Sequence, residues 1–401
     1  MKPSIYTLTS NLHDEASVKA ATQEFLGSLG IEFNFRGEDY ADYGTHPLDL
    51  IYVRTGGTEG IFRRLLPDLR QRSSRPFYLL TSGQSNSLAA SMEILSFLRQ
   101  QNIPGEILHG SIEYIVRRIE VLKQVGDALR QLSHSRLGIV GQPSDWLIAS
   151  TADRVAVRQR LGLEMVDIDL QEVLDGMPET TDEIPQEWYD NASSPAVRHS
   201  LTGAIRIYDS LKKIVETHEL QGFTLRCFDL LTALHNTGCL ALARLNSEGV
   251  VAGCEGDIPA MLTMRIAQSL IGLSGFQCNP AHIDVEKGEI LLAHCTIPFN
   301  MIQRFELDTH FESGIGVGIR GYMKEGPVTL FKVSGDLSRR FVAEGTLVRC
   351  EAKPNLCRTQ AVVQLDDPKQ AQDFLTCPIG NHHILLPGHC RDLIETFFTQ
   401  C

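Results

Sequence analysis

The sequence predicts an α/β protein in which two open α/β, Rossmann-like sheet domains are followed by a β-rich C-terminal domain. Three observations carry this. Up to about residue 272, short apolar runs lead into polar, glycine-containing loops and then into amphipathic helical segments, the pattern of an open parallel sheet wrapped by helices. After Leu273 the segments become short, β-branched and bounded by turn residues, which reads as a sandwich or barrel. The length of 401 residues exceeds one ordinary core and suits about two or three domains. The boundaries drawn from these changes of texture are 1–134, 135–272 and 273–401.

In order along the chain, the first ten residues, polar and only briefly apolar, read as a first buried strand rather than a signal peptide. Leu48-Asp-Leu-Ile-Tyr-Val53 is a buried strand that ends in Arg54-Thr-Gly-Gly-Thr-Glu-Gly60 and a helix from Ile61. Phe77-Tyr-Leu-Leu80 runs into Thr81-Ser-Gly-Gln-Ser-Asn-Ser87 and a helix over 88–100, and a further unit begins at Glu106. The glycines of these loops lack the spacing of a phosphate-binding loop and serve tight turns. Leu137-Gly-Ile-Val-Gly141 opens the second unit. An acidic surface connection over 175–187, a helix over 199–218 and a strand over 223–229 follow. Five short strands are expected near 290–295, 316–320, 328–333, 346–350 and 360–365. A last helix, 391–400, closes the chain.

The formal charge of −12 argues against nucleic acid or an anionic membrane as the main partner. No stretch is long and apolar enough to span a bilayer. All ten cysteines lie from Cys227 onward without a Cys-x-x-Cys pair, which reads as reduced thiols in a cytoplasmic protein.

The second unit ends in Val250-Val-Ala-Gly-Cys-Glu-Gly-Asp-Ile-Pro-Ala-Met-Leu-Thr-Met-Arg265, a short strand, a turn and an amphipathic helix. Ile258, Met261, Leu262, Ile266 and Leu270 share one helix face, Asp257 is a natural N-cap, and Pro259 fits the first turn. Glu255 and Asp257 therefore stand at a strand-to-helix junction, where ligand crevices form in α/β proteins. With His294, His382 and His383 they make a set of ligands suited to manganese or a similar divalent ion. If His382 and His383 lie on an extended segment they point to opposite faces, so only one need be a ligand.

Four segments carry a resemblance: Val250-Val-Ala-Gly-Cys-Glu-Gly-Asp257, the stretch from Phe276 to His294-Cys-Thr-Ile-Pro298, Gly326-Pro-Val-Thr-Leu-Phe331 and Gly380-Asn-His-His383. In order and spacing they resemble the L-fucose isomerase and L-arabinose isomerase superfamily. Arg54-Thr-Gly-Gly-Thr-Glu59 and Asn86-Ser-Leu-Ala-Ala90 resemble the N-terminal domain of its shorter members. The resemblance implies that the last domain is barrel-like and that the chain forms a homo-oligomer, a hexamer or trimer, with active sites between subunits. It further implies a metal-dependent aldose–ketose isomerase that acts on a sugar through an ene-diol, with Mn2+ or another divalent ion. Glu255 matches the first metal-binding carboxylate and His382 the C-terminal metal-binding histidine. Asn381 then touches substrate hydroxyls, and His294 matches a further metal-binding histidine. Arg54 is a candidate for holding a charged substituent of the sugar, as are Arg226, Arg265 and Arg320.

The chain departs from this pattern at one place. Where relatives carry a second Asp or Glu, this sequence has Asn279. An amide oxygen coordinates a metal but does not accept and return a proton at neutral pH. Glu255 is the candidate base that shuttles the carbon-bound proton, and Asp257, Asp284 or a metal-bound hydroxide are the substitutes the sequence offers for the missing second carboxylate. The competing readings are a non-catalytic carbohydrate-binding relative and a metal-dependent lyase on the same scaffold.

Overall fold

A computed structural model of the chain describes residues 2–181 and 183–401; Met1, at the start of the expected first strand, and Asp182, inside the acidic connection, lie outside the described residues. The chain forms two compact units, Met1–Arg130 with Asp392–Cys401, and Gln131–Arg391.

The first unit holds a five-stranded parallel sheet. Its strands are β1 (Ser4–Leu8), β2 (Asn34–Gly37), β3 (Asp49–Val53), β4 (Phe77–Leu80) and β5 (Gly105–Leu108), in the order β2-β1-β3-β4-β5. Tyr6, Ile51, Val53, Phe77 and Leu79 bury one face, and Ile5, Leu50, Tyr52 and Tyr78 bury the other. Helices cover both faces, which is why the central strands β1, β3 and β4 are buried at successive positions rather than alternating. The final helix, Arg391–Phe398, lies almost wholly within the stretch that belongs to this unit, where Thr396 Oγ1 accepts from Arg118 Nη1 at 2.8 Å.

The second unit begins with β6 (Arg136–Val140), β7 (Glu164–Ile168), β8 (Gly222–Leu225) and β9 (Val251–Cys254), parallel and ordered β7-β6-β8-β9. The strand expected over 223–229 stops at Leu225. The Cys227 N–H bonds back to the Leu225 carbonyl at 2.8 Å, and Phe228–Leu234 is helical. The helix expected from 199 starts at Pro195, capped by the Ser194 hydroxyl, which accepts from the Val197 N–H.

Eight further strands follow: β10 (Phe276–Asp284), β11 (Glu289–His294), β12 (Arg304–Asp308), β13 (Gly318–Tyr322), β14 (Gly326–Val333), β15 (Arg340–Glu351), β16 (Thr359–Leu365) and β17 (His383–Pro387). Six of them close an antiparallel barrel in the order β10-β11-β16-β15-β14-β17, and β12 pairs with β13 in a hairpin. Phe276, Cys278, Leu292, Leu330, Val363 and Leu385 are among the side chains that fill its core. The helix Ile258–Ile271 has only Gln268 and Ile271 less than fully buried. It packs on β8 and β9 on one side and on β14 and β17 on the other, so it couples the second sheet to the barrel. Among the described residues, no helix is long and apolar enough to cross a membrane.

Candidate functional site

The strand β9 pairs with β8 on one side only. Its last residue, Cys254, is held on the other side by a side chain: Gln277 of β10 accepts the Cys254 N–H at 2.9 Å and donates to the Cys254 carbonyl at 3.3 Å. A buried amide thus satisfies the edge N–H of Cys254, whose carbonyl also accepts the Asp257 N–H at 3.2 Å. The chain then turns through Glu255 (φ 63°) and Gly256 (φ 70°). A left-handed backbone at a residue other than glycine is uncommon and strained. Here it is fixed by the Ser144 N–H donating to the Glu255 carbonyl at 3.0 Å and the Gly256 N–H donating to Leu225 at 2.9 Å. A side chain at position 256 would meet the Gln142 carbonyl at 2.6 Å.

Asp257 caps the following helix, accepting the Ala260 N–H at 2.8 Å. Its other oxygen meets His382 Nδ1 at 2.8 Å and Lys332 Nζ at 3.6 Å. Asp257, Lys332 and His382 are all completely buried. Burial alone would raise the Asp257 pKa, yet the Lys332 charge and the His382 hydrogen bond hold it down at about 2. Burial lowers the Lys332 pKa against the pull of Asp257. For His382 burial also acts downward, but Asp257 and Glu255 together bring it up to about 9. With Asp257 on Nδ1, the His382 Nε2 atom faces Glu255 Oε1 at 3.4 Å and has no hydrogen-bond partner.

His294, the last residue of β11, brings its Nε2 to 3.7 Å from the same Glu255 oxygen, while its Nδ1 lies 3.1 Å from Thr296 Oγ1. The two imidazoles stand edge to face at 5.4 Å. Glu255 Oε2 accepts from Trp146 Nε1 at 2.7 Å. Burial would raise the Glu255 pKa, but the two imidazoles that face its carboxylate, His294 and His382, hold it well below the usual range.

Glu255, His294 and His382 thus offer one oxygen and two nitrogens within 4.8 Å of one another. Ligands about 2.1 Å from one divalent ion stand about 3 Å apart, so a small closure completes a first shell. The carboxylate and hydroxyl behind the two rings fix which nitrogen faces inward, as outer partners of metal-bound histidines do. The buried, unsatisfied Nε2 of His382 fits the same use.

His383 is not with them. Strand alternation turns its ring to the opposite side, against Phe341 at 5.4 Å and Phe374 at 4.6 Å. Burial first, then the Lys332 charge, pushes its pKa down to about 3. Asn279 and Asn381 line the same cavity as Glu255 and His294, a space of about 500 Å³. Asp257 does not line it. Asp284 closes the exposed hairpin between β10 and β11, 3.0 Å from Lys287. Arg54 lies in the first unit, where it donates to Thr22 Oγ1 at 2.9 Å and to Thr9 Oγ1 at 3.1 Å.

The other arginines are engaged as well: Arg226 with Asp145 and Asp229, Arg265 with Ser135 and Gln268, and Arg320 with Asp308. Sequence reasoning missed Trp146, Thr296, Gln277, Lys332, His310 and Glu312. Gln277 and Thr296 lie inside the stretch from Phe276 to Pro298 but carried no assigned role there, and the other four lie outside the quoted motifs. All ten cysteines are free thiols, and five of them line the cavity.

The chain is similar to proteins named sulfoquinovose isomerase. It is 24% identical to that of Priestia megaterium over 265 residues, covering 62% of this chain and 59% of the relative. It is 22% identical to that of Alkalicoccus urumqiensis over 267 residues, with the same two shares. For Clostridium sp. (strain MSTE9) the figures are 23% over 268 residues, 64% and 57%. The chain therefore spans less than two thirds of the length of the curated relatives it matches. No family model matches it.

Proposed function

We propose that this protein is a metal-dependent aldose–ketose isomerase acting on a sugar through an ene-diol. The observation that carries the reading is the convergence of Glu255, His294 and His382 within 4.8 Å, with Glu255 and His294 in the wall of a cavity that Asn279 and Asn381 also line. The similarity to sulfoquinovose isomerases supports the same reaction class. Glu255, His294 and His382 are the residues that would hold the ion, with Mn2+ the first choice for a mixed carboxylate and imidazole set. Such an ion would supply a Lewis acid for the oxygen chemistry of the sugar.

The rest is the work of the chain itself. Asp257 keeps the His382 Nδ1 proton, so that Nε2 faces Glu255. Thr296 orients His294 in the same way. Trp146 donates to Glu255 Oε2 and fixes the carboxylate plane, and the amides of Asn279 and Asn381 meet substrate hydroxyls. Among the described residues, no arginine or lysine lines the cavity, so neutral sugars belong in the test beside sulfoquinovose.

The test is conversion of sulfoquinovose, pentoses and 6-deoxyhexoses with and without Mn2+, read by the appearance of ketose. Turnover that needs the ion is expected. Sugar binding without turnover would favour the non-catalytic reading, and a cleaved product the lyase.

A further inference from the structure

Moving the double bond of an open-chain aldose requires one group that takes a proton from C2 and gives it back at C1. Glu255 is badly placed for this. Its Oε1 faces His294 and His382, and its Oε2 is bonded to Trp146. Asn279 lines the cavity but has no basic atom. Asp257 is sealed behind His382, and Asp284 is tied to Lys287.

Among the described residues that line the cavity there are two carboxylates, Glu255 and Glu312. Glu312 sits in the turn between β12 and β13. That turn is closed by the Gly314 N–H on the His310 carbonyl at 2.9 Å and the His310 N–H on Ile315 at 3.0 Å. Arg358 pins its base, donating from Nε to the Thr309 carbonyl at 2.7 Å. The glutamate side chain itself is exposed to solvent. Cys357, also in the cavity wall, has its pKa pushed up by Cys295 and burial, and then by the charges of Glu312 and Glu255, so both carboxylates act on one point.

We propose that Glu312 is a catalytic residue, the acid–base group that carries the carbon-bound proton in the space where this chain has Asn279. The proposal rests on the isomerase reading. In the step, the Glu312 carboxylate takes the proton from C2. The C2–H electron pair becomes the C1–C2 double bond, and the carbonyl π pair moves onto O1. The O2 proton passes to O1, the O2 pair closes the new carbonyl, and the double-bond pair takes the proton back from Glu312 at C1. One proton moves from C2 to C1 and one from O2 to O1, with no oxidant or reductant.

The experiment compares the wild type with E312Q, E312D and H310N in one assay, with turnover measured in water and in D2O and metal content measured on each protein. For E312Q, KM and metal content within about twofold of wild type are expected, with kcat lower by roughly a hundredfold or more. Solvent deuterium in the product should fall with kcat, and E312D should recover part of both. An E312Q kcat within about twofold of wild type overturns the assignment, as does a loss that appears only in H310N. Absence of wild-type turnover on every sugar is a different failure, because it removes the isomerase reading itself.

Discussion

The turn after β3 and the turn after β9 share a plan. Each follows a buried parallel strand, carries a charged residue at the strand's carboxyl end, passes through a left-handed glycine and enters a helix. After β3 the charged residue is Arg54, and threonine hydroxyls of the same unit receive its guanidinium. After β9 it is Glu255, and the groups that meet it are imidazoles from β11 and from the approach to β17. One local pattern thus serves a structural anchor in one place and a candidate metal site in the other. What separates them is the barrel, which delivers two histidines from chain segments far apart in sequence.

The comparison breaks most sharply at the carboxylate. Glu255→Gln should lower isomerase turnover by more than about a hundredfold and remove bound metal, while the fold persists. Retained turnover would show that Glu255, like Arg54, is only an anchor. Asp257→Asn probes the support behind His382. Metal affinity should weaken by roughly 10- to 100-fold, because the proton on Nδ1 loses its carboxylate partner. An unchanged affinity by isothermal calorimetry would remove Asp257 from the site.

The two glycines sharpen the comparison through stability. Gly256→Ala places a Cβ 2.6 Å from the Gln142 carbonyl at φ 70°, whereas Gly57→Ala places one 3.2 Å from the Ser10 hydroxyl at φ 74°. Both suffer left-handed strain of about 1 kcal/mol, but only the first also collides with backbone, so Gly256→Ala should lose at least about 2 kcal/mol more in urea unfolding. Equal losses would contradict the close approach at Gln142.

The smallest effect separates His382 from His383. The folded pKa of His383 is held down at about 3, against an ordinary value of 6.5. Between those two pH values the unfolded chain binds the extra proton, so stability falls as pH falls, by up to about 1.4 kcal/mol per pH unit. His382, raised to about 9, acts in the opposite sense in metal-free protein: its contribution is complete below pH 6.5 and is lost as pH rises through about 9. His383→Phe should flatten the loss of stability between pH 6.5 and 5 and leave the alkaline side unchanged. The same acid slope in the variant would place the titration elsewhere.

Much of this was legible in the sequence. Strand, glycine turn and helix could be read at β3, β4 and β9, because those strands are almost wholly apolar and their helices are capped or periodic. Glu255, His294, His382 and His383 could be read as ligand types, and period-two alternation meant that only one of the adjacent histidines need be a ligand if they lay on an extended segment. Strand ends were less legible. The run over 223–229 is apolar enough for a strand, and only the backbone turn at Cys227 shows that it stops at Leu225. Trp146, Lys332 and Glu312 were invisible, because their importance comes from distance in space and no local pattern encodes that.

The most direct test of the central claim is the metal content of the purified protein, measured by mass spectrometry beside Glu255→Gln, His294→Asn and His382→Asn. The account predicts about one divalent ion per chain in the wild type and strong depletion in all three variants. His383→Asn should keep the ion. Full metal content in the His294 or His382 variant, or loss of the ion in the His383 variant alone, would contradict the site.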